Sequence, residues 1–218
     1  MNTKYELTAE TRDGLFRVRA KVAFGTIAAG ELGGFIATEH NLSVSGNAWV
    51  FGDASVSGNA QVSGDAQVFG DARVCGHARV SGDARVSGDA SVSGNAWVSG
   101  NAQVSGNASV SGNASVSGNA QVSGNARVSG NARVSGNARV SGNAWVRDDA
   151  SFLLIGPIGS RRASLSIHVD TKIKVRYTTG CFSGSRAELL AAVKKTHKAG
   201  TLYRKQYEAA LVMAKLVK

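Results

Sequence analysis

The chain has 218 residues, a formal net charge of +10, a single proline and two cysteines. Cys75 and Cys181 stand far apart without metal-like spacing, which implies no disulfide framework and fits a reduced compartment. No apolar run reaches the length of a membrane span, and Met1 to Glu10 lacks a signal-peptide core, so the expectation is a cytoplasmic protein with no membrane partner.

Residues 1–42 hold five basic and five acidic side chains, which cancel. Leu15 to Val22 alternates apolar and basic, the pattern of a half-buried strand. Tyr5 to Thr11 is its expected hairpin partner across the turn Arg12-Asp13-Gly14, and Gly30 to Ile36 leads into the next region. This segment is predicted to cap the repeat array C-terminal to it, because an open sheet end invites stacking.

From Val44 to Val146 a valine falls at every sixth position, eighteen in all, with Ala in step from Ala48 to Ala150 and Gly from Gly46 to Gly142. The unit reads Gly-Asn/Asp-Ala-x-Val-Ser, as in Gly124-Asn125-Ala126-Arg127-Val128-Ser129. Ala-x-Val alternates inward, outward, inward like a strand. Ser-Gly-Asn/Asp supplies a corner, since Gly accepts positive φ and Asn or Asp bonds its own backbone. One such unit buries nothing alone, but stacked copies form a continuous core. His40 to Ser45 reads as a first, imperfect unit.

This motif resembles the hexapeptide-repeat family. The resemblance implies a left-handed parallel β-helix with three units per turn. The expected fold is therefore an all-β solenoid of six triangular coils over residues 43–152, about 29 Å long at about 4.8 Å per strand. A β cap occupies residues 1–42 and a small α+β module residues 153–218.

The variable x residues are the outward positions. They include two runs of arginine, Arg73, Arg79, Arg85 and Arg127, Arg133, Arg139, one on each successive face. Trp49, Trp97 and Trp145 also fall at x, and three outward tryptophans point to contacts in a homo-oligomer, a trimer before a dimer. Members of the resembled family are often trimeric acyltransferases with a His general base and a long loop interrupting the coils. Here the valine register never slips, and the regular units hold one histidine, His77, beside Cys75. No catalytic residue, metal site or cofactor is assigned.

Residues 153–218 hold thirteen basic and three acidic side chains, the whole excess charge of the protein. Ser164 to Asp170 and Lys172 to Thr179 alternate around a close turn, a hairpin expected to turn Lys172, Lys174 and Arg176 to water. Ser185 with Glu188 is a capping box opening one helix; Gly200 and Thr201 separate it from a second. Two Gly-, Ser- and Arg-bearing loops, Gly156 to Arg162 and Gly180 to Arg186, flank the hairpin. Backbone N–H groups, arginine and a helix start suit an anion. The candidate contacts are Ser160, Arg161, Arg162, Lys174, Arg176, Ser185 and Arg186. Cys181, with His168 or His197 as base, is a weaker nucleophilic alternative.

Leu32-Gly33-Gly34-Phe35-Ile36 ahead of the array, and Gly156 to Arg161 with Gly180 to Gly184 after it, resemble a group of phage and prophage hexapeptide-repeat proteins. The resemblance implies a bacterial host and a setting in counter-defence. The expected function is a non-catalytic binding protein whose basic module captures an anionic ligand, a nucleic acid or an acidic protein. A hexapeptide-type acyltransferase and a structural part of a virion or filament are the alternatives.

Overall fold

The computed structural model describes residues 2–148 and 151–217. Ala150, read as the last alanine of the array, lies outside them. Strands β1 (Tyr5–Arg12) and β2 (Leu15–Ala20) form an antiparallel hairpin, and β3 (Leu32–Ile36) pairs with β2. Both turn residues take positive φ, 53° at Asp13 and 77° at Gly14, the twist a tight hairpin needs.

The array forms a parallel β-solenoid of about six turns. Its two-residue strands run from β4 (Trp49–Val50) through β20 (Trp145–Val146), one every six residues. Each pairs in parallel with the strand three places on, which sorts them into three ladders. Val86 thus pairs with Val68 on one side and Val104 on the other. The alanine and valine rungs are fully buried. At the corners the chain turns through glycines. Gly82 has φ +68°, and a Cβ there would lie 3.0 Å from the Gly100 nitrogen of the next coil. Only glycine lets the coils stack this closely.

The register does slip once. Val44 is 53% exposed. Leu42 takes the rung instead and bridges to Val62, while Ile36 pairs with Val56. Ile36 and Leu42 stand six apart, but Leu42 and Val50 stand eight apart, so two residues are looped out between them. The solenoid core therefore begins inside the segment read as cap.

The two ends are closed differently. Apart from the bonds between two strand residues, the ladder hydrogen bonds run one way: Ser55, Ser57 and Asp65 N–H donate to the carbonyls of Ala72, Val74 and Gly82 in the next coil. The first coil is left with carbonyls that no earlier coil can serve, and a buried orphan carbonyl is costly. The buried Lys4 ammonium donates to the carbonyls of Ser43, Gly46 and Ala48 at 3.2, 3.0 and 3.1 Å. The Tyr5 hydroxyl donates to Leu42 and Glu39 carbonyls at 2.6 and 2.9 Å. Trp49 fills the space beneath, edge-on to Tyr5 and Phe24 with ring centroids 6.2 and 5.3 Å away.

At the other end stands a four-stranded antiparallel sheet, in the order β21 (Phe152–Ile158), β22 (Ala163–Asp170), β23 (Lys174–Thr179), β24 (Phe182–Gly184). The expected hairpin is its middle pair, and the lead-in from Leu153 to Ile155 is itself strand. Leu165, Ile167 and Tyr177 bury one face against helices α1 (Arg186–Thr196) and α2 (Leu202–Met213), making a second core with Leu189, Val193 and Leu211. Ser166, His168 and Asp170 alternate with them and are buried as well. They lie on the face turned to the solenoid end, where Ser166 Oγ accepts from the Arg139 N–H at 2.8 Å and Asp170 bridges to Ala144.

Candidate functional site

A cavity of about 300 Å³ opens in the C-terminal module between the loop after β21, the turn joining β23 to β24, and both helices. Leu189, Val193 and Phe182 give it an apolar floor; Ser160, Arg161, Thr179, Cys181 and His197 bring polar groups to its wall. The loop is held in place by α2. Gly159 has φ +71°, a Cβ there would lie 2.7 Å from the Tyr207 hydroxyl, and its N–H donates to Gln206 Oε1 at 2.9 Å. His197, at the end of α1, stacks on Tyr207 with centroids 6.0 Å apart.

The candidate residues divide into those that face this cavity and those that do not. Ser160 and Arg161 line it, and Arg162 follows in the same exposed loop at φ +49°. Among the described residues, nothing pairs with the Arg161 or Arg162 side chains. Ser185 already has a partner: Glu188 Oε2 accepts from its N–H and hydroxyl at 2.7 and 2.8 Å. These bonds hold the Glu188 carboxyl below its usual range. The anion expected at that helix start is thus supplied by the chain itself. Arg186 is exposed on the first turn of α1, and Lys174 is exposed at the start of β23.

Arg176 corrects the expected wet face. It lies against the solenoid end beside Gly142, with Nε 2.7 Å from Asp170 Oδ2. The Asp170 side chain is fully buried and that of Arg176 is 17% exposed. Burial opposes ionisation of Asp170. Hydrogen bonds from Arg176 and from the backbone N–H of Ile173 and Lys172 outweigh it and hold the carboxyl below its ordinary value. The adjacent His168 is fully buried, and neither ring nitrogen has a hydrogen-bond partner of good geometry, though the Ser141 backbone lies within electrostatic reach. Burial, and then the Arg176 charge, push its pKa down to about 4. It is not among the residues that line the cavity with Cys181. His197 shares the cavity wall with the exposed Cys181.

Trp49 is a correction as well. It is fully buried under the N-terminal hairpin rather than outward, because the cap covers its face of the first coil. Trp97 and Trp145 stay outward, 53% and 37% exposed. His77 lies at an exposed corner. Sequence reading missed Thr179 and Tyr207 as cavity residues and Lys4 as a plug.

Seven segments of the array, 60–76, 72–88, 78–94, 84–100, 102–119, 120–135 and 132–148, match the YdcK beta solenoid repeat family. The chain is thus a repeat β-solenoid protein by sequence match and by structure. No curated protein matches it.

Proposed function

We propose that this protein is a non-catalytic binder that takes a small phosphate-bearing anion in the cavity of its C-terminal module. The placement of charge carries this reading: the entire net excess lies in residues 153–218, and two arginines without a partner among the described residues stand in the loop after β21, where Arg161 lines the cavity. Arg161 and Ser160 reach the anionic group, with Arg162 beside them, while Phe182 and Leu189 take an apolar part. The cavity volume is that of a small-molecule site rather than a nucleic-acid groove. The solenoid is the rigid scaffold. We read its coils as triangular, since three short strands complete each turn, and its winding as left-handed from the resemblance to the hexapeptide type. The end motifs favour a phage or prophage protein that works by sequestration in the cytoplasm of a bacterial host. Trp145 is the candidate contact of a homo-oligomer, a trimer before a dimer.

Isothermal calorimetry with ATP and with pyrophosphate tests the site. Saturable binding at moderate salt, weakened at least about tenfold in Arg161→Ala/Arg162→Ala, is the expected result, a change of about 1.4 kcal/mol. Unchanged binding in that variant contradicts the assignment. Binding of long nucleic acid alone, with a steep salt dependence, points to a phosphate backbone instead.

A further inference from the structure

The three tryptophans at x positions meet three different surroundings. Trp49 is enclosed by Tyr5 and Phe24. Trp145 carries the Arg147 guanidinium 4.4 Å from its ring centroid. Trp97 is 53% exposed, and among the described residues no cation or aromatic ring covers it. Its indole N–H donates to Ser81 Oγ in the preceding coil at 3.2 Å, which fixes the ring against the sheet.

Around this open ring the repeat departs from its own pattern. Arg79 is the direct register partner of Trp97 one coil earlier. At the adjoining corner His77 donates its backbone N–H to Gly94, so it lies one coil before Asn95. His77, Arg79, Asn95 and Trp97 together line a depression of about 450 Å³. His77 and Cys75 are the only histidine and cysteine of the array, and both fall at this corner. No carboxylate lines the depression, and neither the Arg79 nor the His77 side chain has a partner among the described residues.

We propose that this depression binds a nucleobase with its phosphate. The base stacks on the free face of Trp97, an interaction that tolerates any base because each has a π face. The phosphate accepts charge-assisted hydrogen bonds from Arg79, with His77 beside it. A second copy of the chain fits less well. The outward residues of this ladder are Gln61, Arg79, Trp97, Ser115 and Arg133, with two arginines and no acid, so face-to-face pairing sets like charges together. This site is separate from the module cavity and stands or falls without it.

Indole fluorescence isolates it, because residues 153–218 contain no tryptophan. The probes are AMP, adenosine, ribose 5-phosphate and a ten-residue oligothymidylate. The array itself provides conservative variants: Trp97→Ser, Arg79→Ser and His77→Asn each install a residue found at equivalent positions of other coils. AMP is expected to quench fluorescence saturably in the parent protein and not in Trp97→Ser. Arg79→Ser is expected to weaken AMP about tenfold and adenosine hardly at all. Oligothymidylate binding more tightly than AMP identifies single-stranded nucleic acid as the source of the unit; equal or weaker binding identifies the free nucleotide. No saturable quenching up to about 10 mM AMP, a strength below any specific site, overturns the proposal. So does a Trp97 signal that shifts with protein concentration alone, which means a second copy covers the ring.

Discussion

The N-terminal end of the solenoid is closed by an apolar plug and hydrogen-bond donors, the C-terminal end by a buried polar face with Phe152 and Leu154 packed beside it. Trp49, Tyr5 and Phe24 fill the first end, and Lys4 and Tyr5 serve the carbonyls exposed there. Ser166, His168, Asp170 and Arg176 meet the second. The one-way ladder explains part of this contrast. A first coil needs donors, a last coil needs acceptors, and Ser166 Oγ is one such acceptor. The difference teaches that one repeat can be ended by two chemistries, and that they fail under different conditions.

The largest expected effect falls on the apolar end. Trp49→Ala leaves a cavity under the hairpin and costs about 3–5 kcal/mol in a thermal or urea unfolding experiment. Trp145→Ala, a change at the same repeat position near the other end, costs well under half of that. Equal losses dissolve the contrast.

Acid acts on the polar end. The ordinary histidine value is 6.5 and the native His168 lies at about 4, so the unfolded chain takes the proton first. The stability that neutral His168 protects is fully present above pH 6.5 and is lost as pH falls to about 4, about 3 kcal/mol in all. Asp170 adds a loss at lower pH, as its carboxyl is protonated below its depressed value. Limited proteolysis between pH 7 and pH 4 is expected to cut residues 153–218 before residues 5–36. Alkali reverses the order. The Tyr5 phenol is pushed up to about 12, chiefly by burial, so stability at that end is lost as pH rises from 10 to about 12.

A smaller effect is expected at Lys4. Lys4→Met removes the ammonium that lies 4.3 Å over the Phe24 ring and leaves three carbonyls without their donor, a loss of about 2 kcal/mol. The smallest lies along the corners. Asn95 and Asn101 donate to Asn113 and Asn119 at 3.1 Å, a ladder bond absent where Asp53, Asp71 and Asp89 follow one another eighteen residues apart. Asp71→Asn is expected to stabilise by about 0.2–1 kcal/mol through relief of like charge, visible as a raised melting temperature.

The array was legible because its period, its corner residues and its core residues all give the same answer. Val44 misled because the valine step runs on through a loop; Leu42 holds the rung only because the cap places it there. Trp49 occupies an outward position by count, and only the hairpin folded over it makes it core. In β22 and β23 the alternation revealed two faces but not that both are covered, so Arg176 was assigned to water. Ser160 and Arg161 were legible from their loop. Thr179, His197 and Tyr207 come from three other elements, and no local pattern joins them.

The division between a neutral column and an anion-binding module is tested most directly by hydrogen exchange with and without pyrophosphate. New protection is predicted at residues 159–162, 179–182 and 196–198, independent of any at the separate Arg79 depression, with the coils carrying Arg127 to Arg139 unchanged. Protection confined to those coils, or none anywhere at saturating ligand, contradicts it.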